Sequence, residues 1–406
     1  MKVAVIGGGA AGCFCAIGLM RRRPDADVTL FEAGPKLLAK VALTGGGRCN
    51  LTNSFRDIRR LEEAYPRGAQ LMRRALQALS PEDTQRWFEE EGVRLLTQED
   101  QCVFPVSQDA MQIVRTLERC LREAGVRVCC NARVERVETL PGGKLSVVLG
   151  DSPVKPANDD PYDRVVVTVG GMSREKLERL LPEGIEITDT VPSLFTLKIP
   201  DDGLRSLMGT VVQQAALSLA GTKFRAAGTL LLTDWGVSGP ATLRLSAYAA
   251  RHLAEQGYTG TLLIGWLDAP EAAAREWIAA TAAQNPRKQA AGTPPEGISA
   301  RLWRHLLQRA ALREDLRWAE LGSKGAARLA ATLTADAYPV AGRARFKEEF
   351  VTCGGVSLSG VHLNTLESKG CPGLYFAGEA LDVDAITGGF NLQAAWSTAA
   401  LVAAAI

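Results

Sequence analysis

The first thirty-three residues leave this chain little freedom in how it can fold. KVAVIGGG (2–9) is an apolar run that ends in three glycines, AAGCFCAIGLMRRR (10–23) has helical composition, and ADVTLFEA (26–33) is a second apolar strand pattern. Strand, helix and strand in succession make a βαβ unit with parallel strands. Gly7, Gly9 and Gly12 complete G-x-G-x-x-G across the first junction. In such a turn the first two glycines let a pyrophosphate approach the backbone and the third lets helix pack on strand, while the helix start offers free N–H groups and a positive dipole end. Glu32, twenty residues after Gly12, ends the second strand, where a carboxylate can accept hydrogen bonds from an adenosine ribose. The reading is a dinucleotide site in an α/β fold.

Two further glycine-rich stretches bear on which dinucleotide it is. TGGGRCNLTN (44–53) sets bare backbone beside one arginine and one thiol, and GLYFAGEALDVDAITGGFNLQAAWSTAALVAAAI (373–406) reads as strand, acidic loop and a Gly388-Gly389 entry into a final helix. FAD is long enough to need a second contact region, which a returning C-terminal segment supplies. Backbone N–H groups of Phe390, Asn391 and Leu392 would face the flavin pyrimidine edge, where negative charge accumulates on reduction.

The remaining pattern is that of one α/β unit interrupted by an insertion. Residues 55–92 read as helical, RLLTQEDQCVFPVS as a hairpin, DAMQIVRTLERCLREAG as an amphipathic helix, and VRVCCNARVERVE as one strand. KLSVVLG and YDRVVVTVGG are strands about the polar loop DSPVKPANDDP. Beyond residue 190 come a strand meander, with SGPATLRLSAYAARHLAEQG as a helix within it, and a helical stretch over 270–335; strands resume near 345. The expected division is 1–190 and 343–406 for the nucleotide-binding domain and 191–342 for an inserted β-barrel-like and helical substrate domain. Lys and Arg number 47 against 45 Asp and Glu, so the net charge of +2 gives no overall argument for nucleic acid or an anionic membrane, and neither partner is expected. Nine cysteines without paired spacing predict no metal site and a reduced, cytoplasmic setting. No run is long and apolar enough to suggest a signal peptide or membrane span.

VAVIGGGAAG, TGGGRCNLTN, VFPVS, WGVSGPATLRLS, VTCGGVSL and GLYFAGEALDVDAITGGFNLQAAWS together resemble the BaiN-like family of FAD-dependent oxidoreductases, which includes aminoacetone oxidase-type enzymes. The resemblance implies a Rossmann-like FAD domain of the two-dinucleotide-binding-domain flavoprotein type. By motif it implies Gly7, Gly9, Ala11 and Gly12 at the pyrophosphate and Glu32 at the adenosine ribose. Lys40, Arg48, Cys49 and Asn50 would line the stretch from pyrophosphate to flavin, with the backbone of Val134 at the adenine. Gly378, Glu379 and Asp382 would meet ribityl and phosphate, and Gly389, Asn391 and Leu392 the flavin ring. The chain departs from the family pattern at MSREKLERLLPEG (172–184), at Gln101-Cys102 where Gly-Arg is common, and at Asp234 where His is common.

These residues point to an FAD-dependent oxidoreductase that moves a hydride through flavin N5 to or from a small organic substrate, with NAD(P)H as a candidate transient reductant. An amine or amino-acid oxidase making hydrogen peroxide, and a flavin-binding protein without turnover, are the alternatives. A dithiol relay is excluded because the position five residues after Cys49 is Ser54. As a lone thiol, Cys49 is a weak catalytic candidate, reactive if Arg48 lowers its pKa. Asp234 is the other, in a turn with Trp235 and Ser238. Phe104 and Ser107 are candidate cavity borders, Glu348 and Glu349 a candidate acidic pair, and His252 and His305 are expected to cap helices or face solvent. Substrate, acid or base and oligomeric state stay open.

Overall fold

The computed structural model describes residues 1–150, 161–344 and 351–406, so Glu348, Glu349 and nearly all of the 151–161 loop lie outside the described residues. The chain forms two compact units, Met1–Val191 with Val351–Ile406, and Pro192–Phe350.

The first unit is built on a five-stranded sheet in the order Leu374–Phe376, Arg164–Val167, Lys2–Ile6, Asp27–Phe31, Arg127–Cys129. Every neighbouring pair is parallel. Its central strands are continuously apolar because helices cover both faces of such a sheet; Val3, Ala4, Val5, Val165, Val166 and Val167 are all buried. Strand order reverses between Lys2–Ile6 and Arg164–Val167, and the crevice beyond the strand ends at such a reversal is where α/β sheets bind ligands. The expected single strand over 126–138 is split. Asn131 takes φ 54°, which turns the chain out of the sheet, and Val134–Thr139 pairs instead with Leu145–Leu149.

The helices Ala10–Arg22 and Phe390–Ala405 lie against each other, with Gly18 allowing an approach at which an added Cβ would stand 3.1 Å from the Ala403 Cβ. A fully buried polar network fastens the last helix from its other side. The Gln393 amide accepts from Thr52 Oγ1 at 2.5 Å and donates to Thr84 Oγ1, Ser397 Oγ and the Leu79 carbonyl at 3.0, 2.8 and 3.2 Å. Gln393→Ala strands several buried polar groups at once, and a loss of about 3 kcal/mol is expected, the upper end for unsatisfied groups; denaturant unfolding measures it.

The second unit carries a six-stranded antiparallel sheet in the order Leu197–Lys198, Gly236–Ser238, Arg225–Thr233, Val211–Leu219, Thr259–Gly265, Asp336–Ala341. Helices Glu271–Gln284, Ala300–Arg309 and Gly322–Ala335 complete its core around Trp266, Trp303 and Trp318. The expected helix after Ser238 breaks at Ala249 (φ −99°, ψ 12°) into Pro240–Tyr248 and Ala250–Glu255.

Candidate functional site

In the G-x-G-x-x-G turn, each glycine has its own physical reason. A Cβ on Gly7 would stand 2.5 Å from the Thr168 carbonyl oxygen, and one on Gly12 would stand 1.9 Å from that of Gly7, so these two are required by packing. Gly9 is different. Its φ of −84° suits any residue, and a Cβ there would meet nothing within 4 Å. The first intrahelical bond runs from Cys13 N–H to the Gly9 carbonyl, so the N–H groups of Ala10, Ala11 and Gly12 open toward the same space. Glu32 ends its strand with Oε2 accepting from Gly8 N–H at 2.8 Å and Oε1 from Gly34 N–H at 2.6 Å. Each oxygen keeps a lone pair, and the carboxylate is fixed in place. Asn131 and Ala132 donate backbone N–H groups to the carbonyls of Gly34 and Glu32, which brings the segment leading to Val134 beside the acid.

The glycine-rich stretch at 44–53 leaves the helix Ala39–Gly47 at Thr44, which is extended, and continues through Gly45 and Gly46 at φ 57° and 67°. Gly46 and Gly47, like Gly9, would place a Cβ in open space. From there the segment is joined residue by residue to the entry of the last helix. The Asn50 amide, oriented by its partners, donates to the Thr52 carbonyl at 2.9 Å and accepts from Gly389 N–H at 3.2 Å. Trp396 Nε1 donates to the Leu51 carbonyl and Asn53 Nδ2 to the Gly388 carbonyl, both at 3.1 Å. Two motifs more than three hundred residues apart are thus one structural element. The Asn391 side chain is taken up by the backbone of Ala385 and Ile386, which leaves its N–H, with those of Phe390 and Leu392, at the open helix start.

Gly378 packs on the first helix, where its Cβ would stand 2.9 Å from that of Ala11. Glu379 Oε1 accepts from Thr352 N–H at 2.6 Å, and Asp382 N–H donates to the Val356 carbonyl at 2.9 Å. Two residues that sequence reasoning missed hold the loop that follows. Asp384 is fully buried and paired with Arg67, whose Nε donates to Oδ1 at 2.6 Å and whose Nη2 donates to Oδ2. Tyr65, also buried, donates its hydroxyl to the Phe390 carbonyl at 2.9 Å. Local sequence carries no signal for a pairing across 317 residues.

Lys40 and Arg48 are exposed. The Arg48 guanidinium lies 4.5 Å over the Phe104 ring, with Nε 3.2 Å from the Gly45 carbonyl and Nη1 3.4 Å from Gln108 Oε1. It does not activate the adjacent thiol. Cys49 is fully buried and burial pushes its pKa up to about 11, against a smaller lowering by Thr44, so the thiol stays neutral. A thiol-alkylating reagent near neutral pH is expected to leave Cys49 unmodified in the native protein, and Cys49→Ser to keep the cofactor; mass spectrometry and the visible spectrum check both. Gln101, in place of the family's glycine, holds φ 64°, with its Oε1 accepting from Ser54 Oγ at 2.6 Å. Residues Arg174–Leu180 of the divergent 172–184 segment form a short helix on buried Leu177 and Leu180.

The other candidates are divided between the two units, with Phe104 under Arg48 in the first. Asp234 belongs to the second unit and is exposed, with its backbone carbonyl accepting from Arg205 Nε at 2.5 Å. Trp235 and Ser238 are in the same unit, partly buried. Phe104 is buried in its hairpin, and Ser107 donates to Gln112. His305, expected to cap its helix or face solvent, is half-buried, with Nε2 3.1 Å from the Tyr338 hydroxyl. The group of Glu91, Cys120 and Glu123 has ligand-like spacing, but Arg21 and Arg119 already pair with it. No helix among the described residues is long and apolar enough to cross a membrane.

Comparisons with known proteins agree with this architecture. The chain is 28% identical to the 3-dehydro-bile acid delta(4,6)-reductase of Clostridium scindens, over 98% of this chain and 97% of that protein. It is 27% identical to the ribosomal RNA dihydrouridine synthase of Haemophilus influenzae, over 97% and 96%. The 3-ketosteroid delta1-dehydrogenase of Sterolibacterium denitrificans shares the fold at a TM-score of 0.50 and 13% identity, covering 99% of this chain and 98% of that one. The model of the HI0933-like protein Rossmann domain matches residues 1–405. The chain belongs to the HI0933-like Rossmann-domain family, the BaiN-like group of flavoprotein oxidoreductases that its motifs resemble.

Proposed function

We propose that this protein binds FAD in its first unit and reduces, or in reverse forms, a carbon–carbon double bond conjugated to a carbonyl group in an organic substrate. The observation that carries the cofactor is Gly9: neither its φ nor its packing needs glycine, so the bare backbone is explained by a ligand that approaches it. Gly46 and Gly47 also border open space, but their φ of 67° and 85° already requires glycine, so Gly9 carries the argument. FAD, when bound, supplies hydride exchange at flavin N5. The chain's own residues then have distinct tasks. The pyrophosphate would lie on the bare backbone of Gly9 and the open N–H groups of Ala11 and Gly12, above the turn that Gly7 makes with its own N–H bonded to the Phe31 carbonyl, and the exposed cations Lys40 and Arg48 would offset its charge. Glu32 accepts from the adenosine ribose, with the Val134 backbone beside the adenine. Gly378, Glu379 and Asp382 border the ribityl chain. The helix start that follows Gly389 would turn the N–H groups of Phe390, Asn391 and Leu392 toward the pyrimidine edge of the flavin and stabilise negative charge there, while the Gly389 N–H stays bonded to Asn50. Residues 1–190 and 343–406 would form the FAD domain, and 191–342 would shape the substrate.

The substrate class is supported by the two relatives' names, both of which describe hydrogen addition to a ring double bond conjugated with a carbonyl. An RNA base and a small steroid-like molecule are then both within that chemistry, and a net charge near zero does not separate them. NAD(P)H is the proposed reductant. The test is anaerobic: the purified protein is expected to be yellow, to bleach with NADPH or NADH, and to regain colour with a 3-oxo-4-ene steroid or a uridine-containing RNA. A protein that takes up no FAD overturns the cofactor. Steady peroxide formation from an amine, with no response to either unsaturated carbonyl, overturns the chemistry in favour of an oxidase.

A further inference from the structure

A groove of about 810 Å3 runs in the first unit between the helix Ala69–Ala78 and residues 358–369, and the site above uses none of its lining. Three basic side chains border it, Arg74, His362 and Lys369, all exposed, together with amide and hydroxyl groups from Gln70, Asn364 and Thr365. Neither Arg74 nor Lys369 meets a carboxylate among the described residues. Arg74 rests on the Asn364 side-chain oxygen, and Lys369 Nζ donates to the Ser359 carbonyl at 2.7 Å. The one acid of the lining, Glu367, accepts from Gly373 N–H at 2.8 Å and hydrogen-bonds to Tyr375, which has Arg164 beside it.

Cations resting on neutral acceptors can move to an incoming anion without breaking an ion pair, so their transfer costs little. Two exposed cations beside amide and hydroxyl donors of the same lining suit a tetrahedral, multiply accepting oxyanion, and the volume falls in the usual range for small-ligand sites. We propose that this groove binds phosphate groups, supplied by a nucleotide such as NADPH or by the backbone of an RNA strand. The proposal does not rest on the flavin chemistry.

The test uses the full-length, cofactor-loaded protein and an Arg74→Gln/Lys369→Gln variant. Inorganic phosphate and NADPH are titrated by calorimetry, and a fluorescent single-stranded RNA by anisotropy across a salt series. At least a tenfold weaker Kd in the variant is expected for the phosphate-bearing probe that the wild type binds, with the thermal midpoint and flavin spectrum unchanged because both side chains are exposed. If RNA is the source, the slope of log K against log salt falls by about one per cation removed; if a nucleotide is, NADPH loses affinity and RNA shows no specific binding. Equal binding by variant and wild type, or no binding of any probe by the wild type, overturns the site.

Discussion

Gly9→Val protein is expected to fold with a thermal midpoint close to wild type and to purify without colour. A Cβ there meets no protein atom within 4 Å and the backbone is ordinary, so folding has little to lose. The branched carbons would instead occupy the space where a pyrophosphate must touch the helix start. A loss of FAD affinity of about a hundredfold or more, roughly 2.7 kcal/mol, is the expected size. Gly12→Val supplies the contrast. Its Cβ would lie 1.9 Å from a backbone oxygen and 2.6 Å from Thr168 Oγ1, so the helix must shift off its strand. About 3 kcal/mol of stability is expected to go, the upper end for overpacking. Flavin absorbance after reconstitution and thermal unfolding, measured on both proteins, separate ligand space from packing space; a yellow, fully loaded Gly9→Val protein would sink the cofactor assignment.

Asp384→Asn is expected to cost about 3–5 kcal/mol, because it removes one charge of a largely buried ion pair and leaves the other in place. For a unit of this size that corresponds to a fall of roughly 10 °C in thermal midpoint. Replacing both partners with apolar residues, Arg67→Met with Asp384→Leu, should recover much of the loss, since the remaining charge is then gone. The same pair holds the loop before Gly388, so the single variant should also bind FAD more weakly than the double. Equal stability of Asp384→Asn and wild type would show that the pair does not hold this loop.

The beginning of the chain was the most legible because its information is local. Strand periodicity, the glycine spacing and Glu32 all act within about thirty residues, the length of one βαβ unit, and the neighbour relations they specify are fixed by short connections. The parallel sheet and the returning C-terminal strand are where that pattern leads. The split of 126–138 was not legible, since an unbroken β-rich run does not reveal that Asn131 turns out of one sheet to enter another. Cys49 shows a second kind of gap. Its neighbour Arg48 suggested an activated thiol, yet the guanidinium goes outward over Phe104 while the sulfur goes inward, and desolvation then decides its charge.

Sequence alone determined that glycines stand at 7, 9, 12 and 45–47 and that an acid follows the second strand. Only the tertiary structure decided what each glycine is for: Gly7 and Gly12 make room for the protein itself, Gly46 and Gly47 hold a left-handed backbone turn, and Gly9 alone of these leaves space that neither packing nor φ explains. It also joined Asn50, Leu51, Thr52 and Asn53 to the last helix and buried Arg67 against Asp384. The physical reason is range. Backbone conformation and periodicity are properties of neighbouring residues, while hydrogen-bond satisfaction, burial and open space exist only once segments distant in sequence have met.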